Sequence, residues 1–416
     1  DFEAEGGDLP FGLKKCLAYA KEKCAEVAEL AALAENQNQG VIERRRREIE
    51  FLKSGQMGRN DDVRFQVRLS KSKKIERAGD FKKRRAAQRQ LGLPLCPVAL
   101  SDTPAACAGV DGGAKMSAAE ELAVLERGAE KIVGFQEGAG LDMPSFGAFE
   151  CLDAFEFFAS ELSGFYFTKA GFVQIRGANV AAPPIIYGDV AGKGGSSLSK
   201  IARRALAASK KPLKVSVAGP VSILKRSFAR ADIPEAELAR QLAFAVKEEV
   251  RSLQIAGVKA VQIDESMLGD ILPLKNKSRA EHLAAAAECF KIAVSDADVS
   301  TQILLRLRFN PDKPIVLSLK NMDSDVLILE CGGLNLRALE LFSQFEYENE
   351  IGVALAPSSL ESLPASAELE RQIRSALKFV KKDRLRIFTG ELLKRADAGF
   401  TAAFLKNLTE AAKAVR

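Results

Sequence analysis

The chain has 416 residues, 47% of them hydrophobic, and a formal net charge of +6, so it carries enough apolar material for one large core or two. No stretch reaches the roughly 18 consecutive apolar residues of a membrane span, which excludes membrane insertion. The seven cysteines are widely spaced and form no Cys-x-x-Cys pair, which argues against a disulfide framework and a cysteine zinc site. The sequence leaves the compartment unknown; an intracellular one, cytoplasmic or organellar, is expected.

The first predicted element is an amphipathic helix within residues 1–40. Apolar residues recur along it at helical spacing, namely Leu13, Leu17, Ala20, Cys24, Val27 and Leu30. A stripe of this kind is stable only when another surface covers it. We therefore expect the helix to pack on the rest of the chain or on a neighbouring protein.

Residues 41–92 are predicted to form a basic, extended connector. Between Val41 and Gln90 the chain has 17 Lys and Arg residues against 7 Asp and Glu residues, a net charge of +10. Few apolar residues interrupt these charges, so this part is expected at the surface. It is either a solvated linker, with helix pairs such as Glu43 and Arg47, or a contact to RNA or an acidic partner. The linker is favoured because aromatic residues are poorly interleaved.

Residues 93–416 alternate between strand-like and helix-like patterns. Helical patterns occupy residues 116–138, 234–256, 278–294, 365–381 and 397–415. The strand candidates are "LCPVAL", "LDMPSFGA", "PPIIYGDV", "LKVSVAG", "AVQIDE", "TQILLRL", "DVLILE", "EIGVALA" and "RLRIFTG". Repeated βα units predict an α/β fold, a (β/α)8 TIM barrel. Nine strands are one too many, so "PPIIYGDV" is assigned to a hairpin insertion within residues 164–190.

The stretch "TQILLRLRFNP", residues 301–311, reads as a buried strand until Arg306 and Arg308 interrupt its apolar pattern. Side chains alternate along a strand, so Gln302, Leu304, Arg306 and Arg308 share one face. Burying an unpaired charge costs several kcal/mol. The two guanidinium groups therefore need carboxylates, a ligand or water beside them.

Eight short motifs follow one another along the barrel region: "QEGAGLD", "GFYFTKAGFVQ", "PPIIYGDV", "AGPVSILKRSF", "VQIDE", "TQI", "YENEIG" and "AAKAVR". In order and spacing they resemble the C-terminal barrel of cobalamin-independent methionine synthase. The resemblance covers residues 90–416 and extends weakly upstream. The connector is similar to the family's inter-barrel linker, and residues 12–35 resemble the last helix of its N-terminal barrel.

The resemblance implies a zinc ion held by His, Cys, Glu and Cys. The zinc binds homocysteine as a thiolate, which then takes a methyl group from methyltetrahydrofolate, as in a 5-methyltetrahydropteroyltriglutamate–homocysteine S-methyltransferase. Coordination matters because a free thiol with a pKa of about 8.5 is mostly protonated at neutral pH. Carried over by position, the ligands correspond to Arg306, Arg308, Glu330 and Glu391. We therefore expect a vestigial metal site, with zinc lost and no cofactor.

The substrate positions that the resemblance implies are also changed. Homocysteine contacts correspond to Ala99, Leu100 and Ala148, folate contacts to Asn179, Val180 and Arg226, and the catalytic histidine to Ser359. Asp264, Glu265 and Asp270 persist as a vestigial substrate site. The only histidine, His282, lies in the middle of a predicted helix and is expected to be structural. No catalytic residue is therefore expected.

The strand ends at Arg306, Arg308, Glu330 and Glu391 are expected to converge at the C-terminal mouth of the barrel. Two arginines and two glutamates form a formally neutral set, so a salt-bridge cluster would occupy the metal position. An anionic ligand such as a phosphate is the alternative.

Two classes of function remain. The first is a pseudoenzyme that serves as a structural or scaffold subunit, with other protein subunits as partners in a larger assembly. The second is a residual methyltransferase-family enzyme or sensor that binds homocysteine, methyltetrahydrofolate or an anion without zinc. The first is favoured because every class of ligand is eroded at once, whereas a changed specificity would normally spare one subsite.

Overall fold

The computed structural model describes residues 20–35, 40–53, 58–72, 74–102, 118–147, 154–168, 173–174, 180–269, 272–273, 275–308, 313–330, 337–345 and 347–416. Across these ranges, no helix is both long and apolar enough to cross a lipid bilayer.

The helices and strands alternate along most of the chain. The helices are α1 Ala20–Ala34, α2 Gly40–Lys53, α3 Asp61–Ser70, α4 Phe81–Gln88, α5 Ala118–Gly138, α6 Ala154–Ser160, α7 Ser197–Ala208, α8 Pro220–Lys225, α9 Glu235–Ala256, α10 Asn276–Val294, α11 Lys313–Leu319, α12 Arg337–Ser343, α13 Ser366–Ala376 and α14 Ala398–Val415. The strands are β1 Val98–Ala99, β2 Ser145–Phe146, β3 Phe165–Tyr166, β4 Val173–Gln174, β5 Val180–Ala181, β6 Ile185–Ile186, β7 Lys214–Ala218, β8 Phe228–Ala229, β9 Ala260–Asp264, β10 Gln302–Leu307, β11 Val326–Glu330, β12 Glu350–Leu355 and β13 Leu385–Thr389.

Eight parallel strands form the central sheet, in the order β1-β13-β12-β11-β10-β9-β7-β2. A parallel bridge between Ala99 and Met143 joins its two ends, so the sheet closes on itself. The central strands are buried over nearly their whole length because helices cover the outer face, which explains their near-continuous apolar runs. The predicted TIM barrel is confirmed.

The inside of the barrel holds a small apolar cluster that includes Ala260, Leu304, Ile328 and Phe388. Packing here leaves no room at Gly352, where an added Cβ would lie 2.6 Å from the Phe388 ring. A larger cluster fills the space between the sheet and the helices. These parts of the barrel are therefore a packed core and not an open channel.

The segment "PPIIYGDV" lies outside the barrel sheet, as predicted. Its strand β6 pairs antiparallel with β3 and parallel with β8, and β4 pairs antiparallel with β5. These short strands form the insertion beside the barrel.

The described part of residues 20–92, here called the arm, is mostly helical. Glu29 of α1 receives hydrogen bonds from Arg44 and Arg45 of α2, so ion pairs join these two helices. Arg64 of α3 donates to the buried carboxylate of Asp189 at 2.7 Å, which fixes the arm to the insertion.

The arm also closes the floor of the barrel, at the N-terminal ends of the strands. Asp325, which precedes β11, accepts from Arg77 at 3.0 Å, from Arg84 at 2.7 Å and from Gln88 at 2.9 Å. The amide of Ile303 donates to the same carboxylate at 2.8 Å. Arg77, Arg84, Gln88 and Asp325, here called the floor cluster, are all buried. The connector therefore differs from the expected surface segment, because Asp325 compensates its two buried arginines.

Candidate functional site

The C-terminal mouth of the barrel holds a group of charged side chains around one fully buried arginine. Strand β10 carries Arg306 beside Asp264 of β9 and Ile328 of β11. The Arg306 side chain is 0% exposed, and Arg308 follows it just beyond the strand. The alternation of the strand thus directs both arginines to the same end of the barrel.

Arg306 lies between two carboxylates. Its Nη2 is 2.6 Å from Asp102 Oδ2 and 2.8 Å from Glu330 Oε1, and its Nη1 is 3.9 Å from Asp264 Oδ2. Pairing of this kind compensates the desolvation of a fully buried guanidinium.

Arg308 forms the outer part of the same network. It donates to Glu391 Oε1 at 3.0 Å and to Asp102 Oδ1 at 3.2 Å, and Lys394 Nζ is 3.9 Å from that oxygen. Asp102 therefore bridges both arginines. We call Asp102, Asp264, Arg306, Arg308, Glu330 and Glu391 the mouth cluster. The structure thus brings together the four residues predicted to converge at this end of the barrel.

Sequence reasoning missed Asp102, although it follows the first barrel strand and so reaches the same end of the sheet. It also missed Lys394, which lies in a 3-10 turn, Glu391–Arg395, directly after β13. Position after a barrel strand was the signal that could have identified both residues.

The buried charges shift one another's pKa values. Burial disfavours ionised Asp102, but attraction to Arg306, Arg308 and Lys394 is stronger and holds its pKa well below the usual range. Burial raises the pKa of Asp264, and it also raises that of Glu330, while Arg306 offsets only part of the effect. Burial alone would lower the pKa of Arg306, yet the surrounding carboxylates raise it. Arg306 is therefore a permanent cation.

Some polar atoms of the mouth cluster have no hydrogen-bond partner within the described chain. They include Nε and Nη1 of Arg306 and Nε of Arg308. A buried N–H group without an acceptor is unfavourable, so a small acceptor could be held here.

A polar chain runs from the mouth cluster into the barrel. Gln262 donates to Asp264 Oδ1 at 2.7 Å and to the carbonyl of Ser101 at 3.0 Å. Lys214, which is fully buried, donates to Gln262 Oε1 at 2.6 Å and to Ser216 Oγ at 3.1 Å. Burial lowers the pKa of Lys214 to about 7, and Asp264 offsets part of this effect. The interior thus contains an amine whose pKa is well below that of an exposed lysine.

Glu265 lies outside the mouth cluster. Its carboxylate accepts from the amides of Val221 and Ser222 at 3.2 and 2.9 Å and from the Ser222 hydroxyl at 2.8 Å. Gly219 is required beside it, because an added Cβ would lie 2.3 Å from Glu265 Cδ. Burial raises the pKa of Glu265 to about 7 despite these hydrogen bonds. The residue holds the start of α8 against β9, which is a structural task.

The other residues singled out in the sequence are scattered. Ala99 and Leu100 are buried in the core, and Arg226 ends α8. Ser359 lies after β12 and accepts from the amide of Glu361 at 3.3 Å. His282 is exposed on α10. Ala148, Asn179, the side chain of Val180 and Asp270 lie outside the described residues.

The described residues of the mouth cluster do not fit a zinc ion. Zinc takes deprotonated Cys, neutral His and carboxylate ligands in a tetrahedron. Here the Arg306 guanidinium occupies the space between Asp102 and Glu330, and it would repel a second cation. Elsewhere in the described chain, no three His, Cys, Asp or Glu side chains are grouped to hold a metal.

Comparison with known proteins gives one consistent result. The model of the catalytic domain of cobalamin-independent synthases matches residues 107–414. A 5-methyltetrahydropteroyltriglutamate–homocysteine methyltransferase from Flavobacterium johnsoniae is 32% identical over 396 residues, which cover 92% of this chain and 51% of the relative. The protein of that name from Mycolicibacterium paratuberculosis is 32% identical over 419 residues, covering 98% and 55%. The chain thus spans about half the length of these relatives.

A solved structure shows the same fold. It is a B12-independent methionine synthase from Shewanella sp. W3-18-1 in complex with selenomethionine, which superposes with a TM-score of 0.65 at 19% identity. The match covers 78% of this chain and 98% of that chain.

These matches correct one expectation. The sequence was interpreted as that of a chain with zinc lost and no cofactor, but the family of the matched synthases implies zinc. The expectation of no cofactor was therefore wrong. It rested on carrying four ligand positions over one by one, which tests those positions alone and not the rest of the chain.

Proposed function

The chain belongs to the cobalamin-independent methionine synthase family, and we propose that its barrel serves as a structural subunit of a larger assembly and does not transfer a methyl group. One observation carries the proposal. Arg306, 0% exposed, forms ion pairs with Asp102 and Glu330 at the mouth. A reacting thiolate would have to displace this ion pair, which is costly once both partners are buried.

The surface of the arm supports the second half of the proposal. Of the eleven large hydrophobic side chains that are exposed in the described chain, six lie on α1, α2 and α3: Val27, Leu30, Ile42, Ile49, Phe65 and Leu69. Scattered exposed hydrophobic residues are normal, but a concentration of them is typical of a binding surface. The partners proposed for the arm are therefore other protein subunits.

RNA is a weaker candidate partner for residues 41–90. Ten of the 17 basic residues have an acidic partner within the chain: Arg44, Arg45, Arg47, Arg59, Arg64, Lys71, Lys74, Arg77, Arg84 and Arg85. Cations that are already paired contribute little to phosphate binding.

The proposed domains are an N-terminal helix within residues 1–40, a basic connector at 41–92 and the barrel at 93–416. Ion pairs between Glu29 and the arginines Arg44 and Arg45 join the first two parts.

The test is a methyl-transfer assay on the full chain. Purified protein is incubated with homocysteine and the triglutamate form of 5-methyltetrahydrofolate, with and without added zinc salt, and methionine is measured. The Flavobacterium relative is the positive control. We expect no methionine above the enzyme-free rate. In a separate affinity purification of the full chain, we expect other protein subunits to co-purify with it. Turnover at the rate of the relative would overturn the proposal.

A second candidate function rests on the unpartnered N–H groups of Arg306 and Arg308. The mouth cluster could bind a small anion, homocysteine or methyltetrahydrofolate as a sensor, since guanidinium groups match carboxylate and phosphate oxygens. Calorimetric titration with phosphate and with homocysteine tests this. Saturable binding that is lost in Arg308→Gln would favour the sensor over the structural subunit.

A further inference from the structure

A cleft lies where α3 of the arm meets the barrel helices α9 and α10. Its volume is about 320 Å³, which is at the lower end of the range for small-molecule pockets. Leu69 of α3, Phe244 of α9 and Ile292 of α10 line it, together with Ile75. None of its lining residues belongs to the mouth cluster or the floor cluster.

The inner part of this cleft is apolar. Ile292 is fully buried, and Ile75 and Phe244 are half-buried against the main core. Leu69 remains 40% exposed although it forms part of a wall. An apolar group placed in the cleft would remove this surface from water, which is favourable.

The charges at the cleft leave one cation available. Lys247 is paired with Asp296 at 3.0 Å. Glu248 is exposed and has no ion-pair partner within the described chain, and its carboxylate is directed at Gly192, where an added Cβ would be 2.7 Å from its Oε2. Arg251 is exposed, and no carboxylate within the described ranges lies within 4.0 Å of it. Arg251 is therefore the cation of the cleft that an anion can reach, and it stands beside an apolar wall.

We propose that this cleft binds a small amphiphilic anion, with its apolar chain against Leu69, Ile75 and Phe244 and its charged group on Arg251. A guanidinium presents paired N–H donors that match the oxygens of a carboxylate or a phosphate. The ligand contacts α3 and the barrel helices together, so its binding also strengthens the attachment of the arm. The inference is independent of the function proposed for the mouth.

The test is isothermal titration calorimetry on the full chain. Hexanoate and octanoate are compared, and each CH2 that enters the cleft should tighten binding about fourfold. Octyl phosphate is titrated in parallel to distinguish a phosphate from a carboxylate headgroup. 1-Octanol, which has the same alkyl group without a charge, is the control. We expect octanoate and octyl phosphate to bind more tightly than 1-octanol. Whichever of the two anions binds more tightly shows whether the cleft prefers a carboxylate or a phosphate headgroup.

Two variants and two matched controls locate the site. Arg251→Gln and Leu69→Gln should each weaken octanoate binding about tenfold, and both positions are exposed enough to tolerate the change. Arg203→Gln and Leu317→Gln alter exposed residues on α7 and α11, so they should bind as the unmodified chain does. No binding of either anion at millimolar concentration, or equal binding by all four variants, would overturn the proposal.

Discussion

Replacing Arg306 by methionine removes the buried cation of the mouth cluster while keeping an unbranched apolar stem. Asp102 and Glu330, whose side chains are only 10% and 18% exposed, then lose the positive charge between them. Breaking a buried pair in this way costs about 3 to 5 kcal/mol of unfolding free energy, because Glu330 loses its cation and Asp102 keeps only Arg308 and Lys394 beside it. The matched control is Arg47→Met: Arg47 and Glu43 are 79% and 72% exposed, so its loss should cost about 0 to 1 kcal/mol.

The measurement is urea denaturation followed by circular dichroism, with the free energy of unfolding obtained by linear extrapolation. The double variant Arg306→Met with Asp102→Asn should recover part of the loss, since it removes a cation and the carboxylate closest to it. Arg306→Met with Glu391→Gln should recover less, because Glu391 is bonded to Arg308. An Arg306→Met protein as stable as the unmodified chain would refute the idea of a buried, compensated cluster.

The remaining predictions concern the outside of the barrel, its floor and the arm. Burial raises the pKa of Glu249 to about 7, so the folded chain holds this proton more tightly than the unfolded chain, and the associated stability is lost as the pH rises toward 7. Glu249→Gln should therefore be more stable at pH 8, by up to roughly 3 kcal/mol, with less difference at pH 5; the exposed neighbour Glu248→Gln is the control in the same denaturation series. Arg84→Ala leaves Asp325 with one arginine fewer on the barrel floor and should expose the arm to limited proteolysis, whereas resistance equal to that of the unmodified chain would argue against anchoring. Deleting residues 1–90 should abolish co-purification with partner subunits, and retention of every partner would contradict the role proposed for the arm.

The barrel could be predicted from the sequence because its signals are periodic. Parallel strands covered on both faces give continuous apolar runs, and the helices between them give amphipathic patterns. The predicted helix 234–256 is observed as Glu235–Ala256, and 397–415 as Ala398–Val415. The first two barrel strands are the least regular, with two residues each in β1 and β2.

The convergence of the mouth residues was predictable, but their pairing was not. Alternation along β10 placed Arg306 and Arg308 on one face, and barrel topology placed Glu330 and Glu391 at the same end. Which carboxylate forms an ion pair with which arginine depends on how far each side chain extends into the barrel. Asp102 lies beyond its strand in a polar turn, without any periodic signal, yet it contacts both arginines.

The floor cluster shows a different limit of sequence reasoning. The run "KKRR" has the composition of a solvated segment, and charge runs usually are solvated. Arg84 within it is nevertheless buried, because Asp325 accepts from it on the barrel side. Asp323 accepts from the same guanidinium, also at 2.7 Å, so two carboxylates distant in sequence decided the outcome, and no local pattern reports such partners.

The two ends of the barrel hold arginines in different ways, and the difference bears on function. At the mouth, Arg306 comes from the barrel itself, so its ion pairs join the ends of barrel strands to one another. At the floor, Arg77 and Arg84 come from the arm, so the ion pairs fix a separate segment to the barrel. A solitary catalyst gains nothing from closing its own mouth, whereas a subunit that presents an arm to its neighbours gains from anchoring it firmly. Under the proposed structural role, the ion pairs at the floor hold the arm in place and those at the mouth hold the ends of the barrel strands together.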